Sequence, residues 1–294
     1  MTEKDIDKRV NAILRLQDAF TGRVKDAQAS LYEYVLESWE DLRKSTLPTF
    51  KKVWGKFFET DYEPLIESFA ADMREVVKLN EVYFDAKVPT EQLFEQLGIS
   101  EAGAITKEGY VSTILQDQTV KREVQIAISR TKQLKIDQKV REDIKTLIKG
   151  TPKTETAAAR PGVIEKFADQ SVTPTYNEAD RIVQNDMAIV SYMDAGMYTG
   201  GLIDGSRPFC VERNRKIFLR SEIAKFGTSE DKWGGYTDKS TGTFSGKPKT
   251  GYDPFTMLGG YKCRHHLSWL ADEFAIRKDP TLEIVDGKLV RKSK

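Results

Sequence analysis

The segments D-G-S-R-P-F-C (Asp204 to Cys210), K-I-F-L-R-S-E-I (Lys216 to Ile223) and G-G-Y-K-C-R-H-H (Gly259 to His266) hold both cysteines and both histidines of the chain. Residues kept only for packing would be scattered, so their gathering points to a site or a staple. Around these segments the texture is one of frequent glycine, proline and aromatics with short apolar runs. Arg215 to Leu219 and Leu282 to Val290 read as strands, the second broken by the hairpin dipeptide Asp286-Gly287. Gly234 to Gly251, rich in Gly, Ser, Thr and Lys, reads as a long surface loop. This last third predicts a small α+β domain.

Upstream the pattern is helical. Ile6, Val10, Ile13, Phe20, Val24, Ala27, Leu31 and Tyr34 recur in steps of three and four, with Gln17 in one apolar slot. Such a seam packs either on neighbours in the same chain or on a second copy, which makes a homo-oligomer through this helix a candidate. It ends near Leu42, with a break over Ser45 to Pro48. The bulky face of Val53, Trp54, Phe57 and Phe58 is read as core, Pro64 opens another helix, and Thr90 to Leu97 is a short capped helix stopped by Gly98. Ile105 to Ile148 is helical again. Thr151 to Thr175, with Pro152, Pro161-Gly162 and Pro174, reads as a linker. Asn177 then caps a helix that stops at Gly196. The expected organisation is a helical docking region at 1–150, a linker at 151–175 and a C-terminal domain at 176–294, mainly α overall.

Composition narrows the function classes. The 294 residues carry 46 Lys and Arg against 45 Asp and Glu, a net charge of +1, which argues against coating nucleic acid by bulk charge. No apolar run reaches bilayer length, and Met1 to Arg9 lacks the apolar stretch of a signal peptide. Synthesis in a reducing cytosol is the expectation, where free or metal-bound cysteines outnumber permanent disulfides.

Three readings of the cysteine and histidine cluster stay open. Cys210, Cys263, His265 and His266 supply enough thiolates and imidazoles for a tetrahedral zinc site, although adjacent histidines point in different directions. The two cysteines also fit as small buried hydrophobes, or as a disulfide closing a long loop. Asp204 completes a Cys-His-Asp set on paper. The chain has no H-E-x-x-H, no P-loop and no G-x-S-x-G. Arg213, Arg215, Lys216 and Arg220 form a basic stretch that either meets DNA phosphates or is a solvated face balanced by Glu212 and Glu222.

The ordered pieces D-x-S-R-P-F-C, K-I-F-x-R-x-E-I and G-G-Y-K-C-R-H, preceded by Tyr198-Thr199-Gly200-Gly201, resemble the C-terminal domain of phage minor head proteins, the Mu F-like head morphogenesis family. The likeness covers roughly residues 176 to 270, and the helical half agrees in character only. It singles out Asp204, Arg207, Cys210, Cys263, Arg264 and His265 as motif residues. The chain departs from the family pattern at Ser206, at Asn214-Arg215-Lys216, at Lys262 and in a longer loop from Gly227 to Met257. The resemblance implies a non-enzymatic minor structural protein inside a tailed-phage head. Its partners would be the portal, other capsid proteins and packaged DNA, and its role would lie in assembly, packaging or delivery. Two rivals stand beside it: a metal-dependent nuclease on Asp204, Cys210, Cys263 and His265, and a DNA-binding adaptor using the basic stretch.

Overall fold

The computed structural model describes residues 2–44, 46–100, 104–131, 138–235 and 242–292. The fold is mainly α, with a small α+β region towards the C-terminus. The chain divides into two compact units. One, the helical unit, is Leu16–Asp72 with Phe94–Thr173. The other, the sheet unit, is Met1–Arg15 with Met73–Leu93 and Pro174–Lys294. The sequence predicts consecutive regions; the compact units are instead interleaved, and residues 1–15 and 73–93 belong with the C-terminal part.

Helix α1 (Glu3–Glu37) opens with a reciprocal cap. The Thr2 hydroxyl accepts from the Asp5 N–H at 3.3 Å, and the Asp5 carboxylate accepts from the Thr2 N–H at 2.7 Å. The expected seam is buried within the chain from Ile6 to Leu31; at the last position Val35 is buried and Tyr34 only half-buried. That face is buried by the chain itself. Then follow α2 (Trp39–Lys44), α3 (Thr46–Phe57), a π-helical turn (Phe58–Tyr62) and α4 (Glu63–Phe84), with Pro64 in its first turn where a missing N–H costs nothing. Of the break expected at Ser45 to Pro48, Ser45 lies outside the described residues, and Pro48 sits in the first turn of α3. Helices α5 (Glu91–Leu97), α6 (Tyr110–Gln116), α7 (Thr119–Thr131) and α8 (Gln138–Lys149) continue the chain. Within the helical unit α7 packs on α3, α8 and α9 (Val163–Ser171). Of the expected aromatic face, Val53, Trp54 and Phe57 are core, while Phe58 is half-buried.

The stretch expected as a linker is structured. Strands β1 (Gly150–Thr151) and β2 (Arg160–Pro161) pair antiparallel, and α9 follows. The start of α9 is held by buried Gln28, whose Oε1 accepts from the Glu165 N–H at 2.7 Å. The next helix, α10 (Thr173–Val190), begins four residues before the predicted cap at Asn177. Pro174 explains the shift, because the first turn tolerates proline and its fixed φ suits the helix. Nor does Gly196 stop this helix; it lies within a strand.

The sheet unit is built on three antiparallel strands in the order β4-β3-β5: β3 (Ala195–Thr199), β4 (Ile217–Leu219) and β5 (His266–Leu270). Alternation sorts its residues onto two buried faces. Ala195, Met197, Ile217, Leu219 and Leu270 face one core, with Ile6 of α1, Tyr83 of α4 and Phe274 of α13 (Asp272–Lys278). Tyr198, Phe218, Leu267 and Trp269 face another, with Phe209 of α11 (Pro208–Arg213), Ile223 of α12 (Arg220–Ile223), Phe226, Phe244, Leu258 and both cysteines. Phe244 stacks on Phe209 at 4.2 Å between ring centroids, so the predicted surface loop sends an anchor into the core. Residues 236–241 of that loop lie outside the described set. The chain ends in the expected hairpin, β6 (Leu282–Val285) and β7 (Lys288–Arg291), turned at Asp286-Gly287. No helix among the described residues is long and apolar enough to cross a membrane.

Candidate functional site: a buried cysteine pair and its histidine

Three elements of the sheet unit bring the sulfurs together. Pro208 starts α11 and places Cys210 in its first turn. The long loop returns at Gly259 to carry Cys263, and His265 sits one residue before β5. The sulfurs are 3.9 Å apart, and Cys263 Sγ is 3.8 Å from His265 Nδ1. One ligand atom from each of the three residues lies within 4.8 Å of the others, and all three residues are buried. Tyr198, projecting from β3, places its hydroxyl 3.3 Å from Cys210 Sγ and 3.7 Å from Cys263 Sγ. Its ring lies 5.0 Å from the His265 ring. Gly259 is required by contact: a Cβ there would stand 2.5 Å from Cys210 Sγ and 3.0 Å from Cys263 Sγ.

The electrostatics push the two thiols in opposite directions. A hydrogen bond from the Cys210 thiol lowers the Cys263 pKa well below the usual thiol value against the cost of burial, and His265 and Arg181 act in the same sense. The Cys210 thiol is pushed up, first by that same hydrogen bond and then by burial. Burial also pushes up the Tyr198 hydroxyl, which stays a neutral donor.

A half-open cavity of about 420 Å³ reaches the cluster. Cys210, Cys263 and His265 line it, together with Ser206, Arg207, Lys262 and Arg264. His265 Nε2 is buried and has no hydrogen-bond partner among the described residues. Arg207 is held by its Nη2 donating to the Tyr261 carbonyl at 2.5 Å. Gly200, also in the lining, has φ of +128°, and a Cβ on it would meet the Arg264 carbonyl and His265 Cα at 2.8 Å.

His266, expected among the metal ligands, is elsewhere. Successive residues of extended chain point to opposite sides, and His266 lies fully buried with its Nδ1 2.7 Å from Asp180 Oδ2. Burial holds its pKa below the ordinary histidine value, against the pull of Asp180. The ring is therefore neutral near pH 7, with Nδ1–H donating to the carboxylate. Asp180 also accepts from Arg9 and, at 2.8 Å, from Asn80 Nδ2. Arg9 donates to Ser268 Oγ at 2.7 Å, and Gln184 links Asn80 (2.6 Å) to the Trp269 N–H (3.0 Å) on the outer edge of β5. Tyr83 donates to the Trp269 carbonyl at 2.8 Å. This buried network ties α1, α4 and α10 to the sheet, which is why residues 1–15 and 73–93 belong to this unit.

The other predicted residues divide. Arg207 and Arg264 line the cavity, while Asp204 is exposed and is not among the described lining residues. The basic stretch is not one face. Arg213 is fully buried and ion-paired to Asp231 at 2.7 Å, its guanidinium 3.8 Å from the Phe209 ring centroid, so it is not a DNA contact. Arg220 is half-buried, bonded to Asn185 at 3.1 Å and stacked 4.1 Å from the Trp269 centroid. Arg215 pairs with Asp7 at 2.7 Å, and Lys216 lies over the Trp233 ring. Sequence reasoning had Tyr198 and Gly259 only as members of the motif segments, without a role, and missed Asp180 and Arg9. For the last two a signal exists: each is a charged residue at helical spacing within a buried stripe, Arg9 between Ile6 and Ile13, Asp180 between Tyr176 and Val183.

No family model, curated protein or solved structure matches the chain. The likeness to Mu F-like head proteins therefore rests on the motif residues alone.

Proposed function

We propose that the chain is a minor structural protein of a tailed-phage head, associated with the portal and acting in assembly, DNA packaging or DNA delivery. One observation carries the reading. The segments that bear the resemblance, separated by up to about fifty residues, meet on the β4-β3-β5 sheet as one module around Cys210, Cys263, His265 and Tyr198. Shared motif residues that also share a core are what a family fold requires, and a chance likeness of scattered peptides has no reason to meet that condition. The residence that follows is the virion, inside the capsid near the portal, with assembly in the host cytoplasm.

The adaptor reading has less to draw on, because Arg213 and Arg220 are packed against aromatic rings and only Arg215 and Lys216 of the four named residues are exposed. The nuclease reading keeps one supporting feature, the Cys210–Cys263–His265 cluster at a cavity. Against it, no carboxylate is among the described residues of the lining, so a general base for water attack is missing from that wall. The test is quantitative mass spectrometry of purified particles, with deletion of the gene in the genome that encodes it. The expected result is a few copies per particle, and loss of infectivity with shell protein still made. Particles without the chain, formed at normal titre by the deletion, would overturn the reading. Metal-dependent cleavage of DNA abolished by His265→Ala would favour the nuclease.

A further inference from the structure

We propose that Cys210, Cys263 and His265 form a three-ligand zinc site whose fourth position opens onto the cationic cavity and takes an anionic oxygen ligand. The inference is independent of the capsid reading and stands or falls on its own measurements.

The geometry is close to what the metal needs. Tetrahedral zinc with Zn–S of ~2.3 Å and Zn–N of ~2.0–2.1 Å sets its sulfurs ~3.8 Å apart and sulfur to nitrogen ~3.5 Å. The observed separations are 3.9 Å and 3.8 Å. A disulfide would instead have to bring the sulfurs to ~2.05 Å. The Tyr198 hydroxyl beside both sulfurs is the outer-shell donor a thiolate pair calls for. Gly259 lets backbone close over the sulfurs from the loop side. The described residues supply three ligands, since His266 is committed to Asp180 and Asp204 stays outside.

Charge balance then names the fourth ligand. Zn²⁺ held by two thiolates and a neutral imidazole is uncharged. The cavity adds Arg207, Lys262 and Arg264, and no acidic side chain among its described lining. An uncharged centre under three cations favours a small oxyanion, such as a phosphate group, over water alone.

The experiment uses the full chain, purified reduced. Zinc content is measured by mass spectrometry, and the apoprotein is titrated with Co²⁺, whose sulfur-to-metal charge-transfer and d–d bands report four-coordinate thiolate ligation. One zinc per chain, a cobalt spectrum with thiolate bands, and two thiols that react only after chelation are expected. Tyr198→Phe should weaken the metal ~10–100-fold as an outer-shell loss, while Cys263→Ser should abolish the thiolate bands of a two-cysteine site. Wild-type protein that holds no stoichiometric metal and has both thiols reactive overturns the site, and so does full affinity in Cys263→Ser; neither conclusion depends on a variant that fails to fold. Inorganic phosphate added to the cobalt protein should shift the d–d bands, and Arg264→Ala should weaken that effect. Bands unmoved by phosphate overturn the open, anion-binding fourth position.

Discussion

Arg9→Met removes the cation from a fully buried network while keeping a long apolar stem in the space. In the native unit Arg9 is 3% exposed and Asp180 0%, so neither charge has water to fall back on. The variant leaves the Asp180 carboxylate with only Asn80 and His266 as neutral donors, at 2.8 and 2.7 Å. It also strips Ser268 of its partner guanidinium. Removing one member of a buried ion pair costs about 3–5 kcal/mol. At ~1.4 kcal/mol per tenfold, that raises the unfolding constant of the sheet unit roughly a hundred- to several-thousand-fold. Urea unfolding combined with hydrogen exchange localises the effect, since the amides of β3 and β5 should lose protection while those of α7 and α8 keep theirs. Asp180→Asn alone should cost a comparable amount. The double variant should cost less than the sum, with a coupling of ~0.5–3 kcal/mol. A loss below ~1 kcal/mol for Arg9→Met, or exchange unchanged at β5, would refute the claim that the first fifteen residues complete the C-terminal unit.

The same network predicts acid sensitivity. Burial alone would raise the Asp180 pKa, but the Arg9 charge and the His266 hydrogen bond outweigh it and hold it well below the usual carboxylate range. The unfolded carboxyl takes up its proton near pH ~3.9, so this stabilisation is complete above that pH and is lost as pH falls towards the folded value; urea unfolding at a series of pH values should show the deficit of Arg9→Met relative to wild type shrinking below that pH. Gly259→Ala forces a methyl group to within 2.5 Å of Cys210 Sγ, and overpacking should cost ~1–3 kcal/mol in urea unfolding. A fragment of residues 176–294 lacks Arg9, Asn80 and Tyr83, and its proton NMR spectrum should show no dispersed amides. Asp231→Ala removes the carboxylate paired with buried Arg213, for which ~3–5 kcal/mol is expected; a thermal midpoint equal to wild type would mean that Asp231 does not hold it.

Periodicity made the helices legible, because the apolar stripe of α1 and the aromatic face of α3 are local properties of the chain. Turn chemistry did the same for Asp286-Gly287 and for the stop at Gly98. Boundaries failed where proline has two meanings: Pro174 reads as a linker residue by composition, yet it opens α10 because its missing N–H falls in the first turn. The gathering of Cys210, Cys263 and His265 was anticipated by their rarity. The divergence of His265 and His266 follows from strand alternation once β5 is placed. What no local window contains is a pairing across sequence. Arg9 and Asp180 are 171 residues apart, and only the fold makes them neighbours.

That non-local pairing also decides how the basic stretch is understood. Counting charges over Arg213 to Arg220 treats each as a point on a solvated surface, but a guanidinium also stacks on aromatic rings. Here Arg213 lies over Phe209 and Phe226, and Arg220 over Trp269 and Phe255, so the stretch is basic because it packs aromatics. Arg207, Lys262 and Arg264 line the cysteine cavity. They came from two separate motifs and carried no charge-run signal.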